Sequence, residues 1–324
     1  MNNKIISGLK TAVYESQREA LGEIMLEAGR KNPKVIAITA DVADSTRLLK
    51  FHDEFPGRFY DMGVSEQAMI GVCAGLSNLG LIPFGAMFGA FEAGRAYDHI
   101  RVSIGINRAN VTLVGSHVGF SNPGDGVTAQ SLTDIALMKS IPNMTIVCPA
   151  DTVELKKAIM MAVDFVGPLY IRISRDATPV FTTQESSFSF SKADVIKEGS
   201  DITIVGVGPI IYNAIIAAEE LEKENIKCEL IDCHTIKPLD GETILKSVRK
   251  TRAVVTLEEH TIVGGAGEDI GRLLLENMPV PVEFVGVRDR NGQSARIYDE
   301  LIDNYGLGAD SIMKAARNVL KRKK

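Results

Sequence analysis

Val35-Ile-Ala-Ile-Thr-Ala40 is an apolar run that stops at Asp41, and residues 81–88 form a second run of the same kind. Between them, residues 68–79 are small and apolar over a helical length. Strand, buried helix, strand points to parallel pairing, because parallel neighbours need a crossover of about a dozen residues or more. Helices then cover both sheet faces, and the strands read as continuous apolar runs. Outward from this unit the pattern repeats. Residues 111–115, 145–148 and 169–173 read as strands, with helical patterns such as 151–166 between them. The predicted class is α/β.

The character changes after Asp176. Thr182-Thr-Gln-Glu-Ser-Ser-Phe-Ser-Phe-Ser191 is polar, serine-rich and without period, and reads as a linker. The pattern then restarts, with strands at 202–205, 229–232, 253–257 and 282–286. Helices are expected at 211–223, about 240–248 and 268–277. Two doubly wound domains follow, residues 10–180 and 198–324, joined by a linker at 181–197. A chain of 324 residues suits two domains.

Lys and Arg number 36 against 41 Asp and Glu, a net charge of −5, which argues against a nucleic-acid partner. No apolar run reaches the roughly 18 residues of a membrane span. Lys4, Lys10, Glu15 and Arg18 enclose no apolar core, so no signal peptide is expected. Cys73, Cys148, Cys228 and Cys233 form no metal-type spacing, and three of them sit in apolar runs and read as small core residues. No metal ligand is expected from this chain, and a reducing cytoplasm is its expected place.

Ligands of open parallel sheets bind outside the carboxyl ends of the strands. Asp41, His117, residues 149–151 and Arg175 each follow a strand-like run and should share one edge of the first domain. Gly206-Val-Gly208 follows a strand, but position 211 is Ile, and the pair reads as a tight strand-to-helix turn. In Asp61-Met-Gly-Val-Ser-Glu66-Gln-Ala-Met69, Glu66 stands at the mouth of a small, apolar helix. A carboxylate there is favourable on dipole grounds alone. Two readings stay open: a helix-start acid, or a desolvated carboxyl that shares a proton with a ligand nitrogen.

An ordered set of motifs resembles the C-terminal half of transketolase, in particular the smaller chain of split transketolases, over nearly the whole sequence. The set begins with Gly63-Val-Ser-Glu66-Gln-Ala-Met, then Ser116-His117 and Gly124-Asp125-Gly126. Ser140-Ile-Pro-Asn143-Met, Pro149-Ala-Asp151 and Ile173-Ser174-Arg175 follow. Thr235-Ile-Lys-Pro-Leu-Asp240 and Glu258-Glu-His260 before Gly264-Gly265 complete it. The resemblance implies a thiamine-enzyme pyrimidine-binding domain followed by a transketolase C-terminal domain.

It also implies roles. Glu66 would hydrogen-bond N1′ of thiamine diphosphate, and His117 would act beside it in catalysis. Asp41 would line the cofactor site. Phe88 and Phe91 match the aromatic positions around the aminopyrimidine; core phenylalanines at helical spacing are the lesser alternative. The family's third aromatic falls at Gly94, so the pocket is expected to be more open. Arg18, Ser45, His117, Asp125 and Arg175 match the sugar-phosphate ligands. By itself Arg18 reads as a solvated helix charge, and Asp125 as a turn residue. Ala129 stands where ordinary transketolases usually carry His, which puts the usual substrate range in doubt. His52, His99, His234 and His260 carry no catalytic motif.

No diphosphate domain or metal-diphosphate motif is read here, since Asn143 follows Gly124-Asp125-Gly126 too closely for one. The resemblance therefore implies an N-terminal-half partner that supplies the diphosphate and Mg2+ ligands, in an α2β2 assembly. The expected reaction moves a two-carbon ketol unit from a ketose phosphate to an aldose phosphate. Two relatives of that reading stay open: a beta-type subunit of a 2-oxoacid dehydrogenase or deoxyxylulose-phosphate synthase relative, and a transketolase for an unusual sugar.

Overall fold

The computed structural model describes residues 12–323. Lys4, Lys10, the expected domain start at residue 10 and the terminal Lys324 lie outside these. The first half runs β1 (Tyr14–Ser16), α1 (Gln17–Lys31), β2 (Val35–Thr39), α2 (Leu49–Glu54), β3 (Phe59–Asp61), α3 (Glu66–Asn78) and β4 (Ile82–Phe88). It continues through α4 (Gly89–Arg95), α5 (Tyr97–His99), a π-helical turn Ile100–Ile106, β5 (Thr112–Ser116), α6 (Asp134–Ser140), β6 (Thr145–Val147), α7 (Thr152–Ala162), β7 (Leu169–Arg172) and β8 (Ala177–Pro179). The second half runs β9 (Asp194–Lys197), β10 (Ile202–Val207), α8 (Ile211–Lys223), β11 (Cys228–Asp232), β12 (Thr235–Lys237) and α9 (Gly241–Thr251). It ends with β13 (Val254–Thr261), α10 (Ala266–Asn277), β14 (Val282–Val287), α11 (Tyr298–Asn304) and α12 (Ala309–Lys321).

Two α/β sheets result. The first has the order β12-β6-β7-β5-β4-β2-β3, the second β14-β13-β10-β11-β9. Pairs within each are parallel except at the outer strands β12 and β9, which run antiparallel to their neighbours. Central strands such as β2, β5 and β7 are buried along their whole length, as their apolar runs require. Leu21, Phe51 and Leu155 of α1, α2 and α7 fill the core on one face of the first sheet. Met69, Ala93 and Met138 of α3, α4 and α6 fill the other, and this core continues into Ile231, Val248 and Ile270 of the second half.

The segment 181–197 departs from a free linker. Lys157 Nζ donates to the carbonyls of Thr183 and Ser186, each at 2.7 Å, and Phe188 and Phe190 pack against the first core. Its last four residues are β9, an edge strand on β11. A four-residue strand with Asp and Lys at its ends carries too little apolar pattern to be read from sequence. β12 is the larger surprise, because residues 235–237 of the second half extend the sheet of the first, Thr235 opposite Val147. No helix among the described residues is long and apolar enough to cross a membrane.

Candidate active site

The parallel order sets the ends of β2, β4, β5 and β7 along one edge, and the residues that follow them carry the chemistry. Asp41 leaves β2 with φ +64, a left-handed conformation that Asp tolerates through local hydrogen bonding. Its N–H donates to Asp61 Oδ1 at 2.8 Å, and the same oxygen accepts the Gly63 N–H at 2.9 Å. This fixes the turn that delivers Glu66 to the start of α3.

Glu66 is only 2% exposed. Its Oε1 accepts from Arg95 Nη1 at 2.6 Å. Its Oε2 has no hydrogen-bond partner among the described residues. Arg95 is half-exposed, and its guanidinium lies over the Phe91 ring, 5.2 Å from the centroid. The Phe91 and Phe88 rings are near-parallel, with centroids 5.9 Å apart. Phe88 in turn stacks on His117 at 3.8 Å. A Cβ on Gly94 would meet nothing within 4 Å, so the space a third aromatic would take is open.

His117 is buried and holds φ +59, a strained conformation for a ring-bearing residue. Its Nδ1 lies 2.6 Å from Ser116 Oγ. Burial, and then the charges of Arg18, Arg175 and Arg47, press its pKa down to about 3, so the imidazole is neutral near pH 7. All three arginine charges therefore act on His117 through space. Arg18 is placed by its neighbour Gln17, whose amide spans Pro149 O (2.7 Å) and the Ser174 N–H (2.8 Å) and so pins the start of α1 to the sheet edge. Arg18 Nε is buried without a partner among the described residues. Arg175 follows β7 and pairs with Asp176 at 3.3 Å.

Ser45 lies half-buried in the turn between β2 and α2. That turn sits directly on α1, where a Cβ on Gly22 would come within 2.6 Å of Arg47 O, so only glycine fits. Glu19 then bridges Arg18 at 2.5 Å and Arg47 at 2.8 Å. Asp125 is exposed on the loop before Gly126 and makes no polar side-chain contact with the described residues. Ala129 is buried in the same loop, its N–H on Gly126 O at 3.1 Å. The structure therefore gathers Arg18, His117 and Arg175, and brings Phe88 and Phe91 together beside them. It leaves Asp125 apart. Sequence reasoning missed Arg95, Glu19 and Arg47, because each acts through a partner 28 or 29 residues away.

Two family models match the chain: the transketolase pyrimidine binding domain over residues 15–180 and the transketolase C-terminal domain over residues 191–312. A 6-deoxy-6-sulfo-D-fructose transketolase subunit of Clostridium sp. (strain MSTE9) is 38% identical, covering 94% of this chain and 95% of its own length. A putative transketolase C-terminal section of Methanocaldococcus jannaschii is 35% identical over 96% of this chain and 98% of its own. One of the subunits of an apulose-4-phosphate transketolase, from Phocaeicola vulgatus, is 32% identical over 94% and 97%. A solved split-gene transketolase, described as an inactive beta4 tetramer, superposes with a TM-score of 0.86 at 38% identity, covering 95% of this chain and 99% of that one. A buried helix-start glutamate on a parallel sheet edge, a matching pair of domain models and relatives aligned end to end agree: the chain belongs to the transketolase family and carries its pyrimidine-binding and C-terminal domains.

Proposed function

We propose that this chain is the C-terminal subunit of a two-chain transketolase and, with an N-terminal-half partner, transfers a two-carbon ketol unit between sugar phosphates. The observation that carries this reading is Glu66, a desolvated carboxylate with one oxygen held by Arg95 and the other left without a partner. A ligand nitrogen that donates a hydrogen bond fits that free oxygen. Thiamine diphosphate, when bound, supplies the carbon nucleophile and electron sink that such a transfer needs.

The remaining work falls to the protein. Glu66 shares a proton with the ring nitrogen N1′ of the cofactor. Phe88 and Phe91 hold the flat ring by aromatic packing, with Asp41 at the edge of the same pocket. Arg18 and Arg175 bind the phosphate of the sugar, for which a planar guanidinium is suited. Ser45 and Asp125 contact the sugar chain. His117, held neutral by its surroundings, exchanges hydrogen bonds with a substrate hydroxyl. The diphosphate and Mg2+ ligands come from the partner, in an α2β2 assembly.

Ala129 favours a second reading within the same chemistry. A buried methyl replaces an expected imidazole, and two similar chains are named for a sulfonated sugar and for apulose 4-phosphate. The test is reconstitution with the N-terminal-half chain and a donor screen covering xylulose 5-phosphate, a sulfonated ketose and a branched-chain ketose phosphate. Cofactor-dependent formation of a two-carbon-shortened aldose from any of these supports the proposal. Cleavage of a 2-oxoacid with CO2 release, and no ketol transfer, would replace it with the oxoacid reading.

A further inference from the structure

The junction of the two domains holds a group of side chains that the reaction above does not use. Glu154 comes from the first turn of α7, Asp232 ends β11, and His234 lies two residues beyond it. One ligand atom from each lies within 4.8 Å of the other two, and all three residues are buried.

Their outer contacts point the free atoms inward. His234 Nε2 lies 3.1 Å from Ser189 O, a carbonyl that can only accept. The ring proton therefore sits on Nε2, and Nδ1 presents a lone pair. That Nδ1 is buried, has no hydrogen-bond partner among the described residues, and lies 4.0 Å from Glu154 Oε1. Glu154 Oε2 is occupied by the Ala150 N–H at 2.8 Å, which leaves Oε1 for the centre. Both carboxylate oxygens of Asp232 are buried and face Glu154, and no N–H or hydroxyl of the described residues donates to them. A histidine whose other ring nitrogen is fixed by a backbone carbonyl is the usual arrangement for a metal-binding imidazole.

We propose that Glu154, Asp232 and His234 form a buried site for a divalent cation of the zinc class, which clamps the two domains together. One imidazole and two carboxylates suit Zn2+ at about 2.0–2.2 Å from each ligand, with a water at the fourth position. The observed 4.0 Å separation is wider than the ~3.4 Å edge of such a tetrahedron, and a modest side-chain rotation closes it. Because the centre is closed, a cation would enter during folding.

The test is refolding of the full chain from denaturant after chelation, with Zn2+ or with Mg2+, then desalting and elemental analysis. About one zinc per chain is expected in the wild type, with a zinc-dependent rise in Tm, and no magnesium. His234→Phe keeps the stack on Phe188, 4.3 Å between centroids, and so preserves folding. It should retain less than about a tenth of the metal, as should Glu154→Gln. Cys233→Ser should retain all of it. A wild type that holds no zinc would overturn the proposal and leave a proton shared between the two acids. Equal zinc in His234→Phe, or loss in Cys233→Ser, would overturn the assigned ligands.

Discussion

At the scale of single residues, burial decides the protonation of the site. His117 is out of water and feels the charges of three arginines, which puts its folded pKa at about 3, well below the ordinary 6.5. Between those values the unfolded chain takes up a proton that the folded chain refuses, so stability falls as pH drops through this window. At about pH 5 the penalty is about 2 kcal/mol. His117→Asn suits the left-handed backbone and removes the titration. Thermal melts at about pH 7.5 and about pH 5 should show a smaller acid-induced loss in the variant than in the wild type. Equal losses would mean that His117 is not the group responsible. None of this was legible in Ser116-His117 alone. The arginines that act on it come from distant parts of the sequence.

Elements were legible where their pattern is long. β2, β4 and β10 announce themselves as apolar runs, and α8 occupies the residues its period predicts, Ile211–Lys223. The short strands β1, β3, β8, β9 and β12 were not, since they are defined by their partners more than by their composition. Helix starts depend on single caps. Asp151 accepts from the Val153 and Glu154 N–H groups, both at 3.1 Å, and also from Phe181 and Thr182 across the first domain. Asp151→Ala strands several buried donors at once, each costing about 1–3 kcal/mol, and should lower stability to chemical denaturation by more than about 2 kcal/mol. A loss no larger than an exposed cap gives would contradict this.

The buried pair of Arg172 and Asp134 is a second case of the same kind. Arg172 Nε meets Asp134 Oδ2 at 2.8 Å, and Arg172 Nη2 reaches Glu259 O of β13 at 2.9 Å. Arg172→Met leaves Asp134 buried and uncompensated, a loss of about 3–5 kcal/mol. Adding Asp134→Asn should recover part of it, as read from the midpoints of urea unfolding. No recovery would show that the link to β13, and not the charge, is what matters.

Across the whole molecule, two halves that read as separable are tied at several points. β12 crosses into the first sheet, the 181–197 segment is strapped to α7, and Glu259 holds the Phe120 N–H of the first domain. Division into two α/β units was legible from the alternating runs. Their union was not, because it rests on pairings between residues some ninety apart, Thr235 with Val147 among them. The first sheet presents Glu66, the two phenylalanines and the arginine–histidine cluster along one edge, which is the surface the proposed partner must complete.

The central claim is that Glu66 serves the cofactor. The measurement is ketol transfer by the reconstituted pair, with thiamine diphosphate and Mg2+, comparing the wild type with Glu66→Gln. The expected result is transfer by the wild-type pair, none by either chain alone, and a fall of about 10²–10⁴-fold in kcat for the variant with its Tm nearly unchanged. Transfer at the wild-type rate in Glu66→Gln would contradict it.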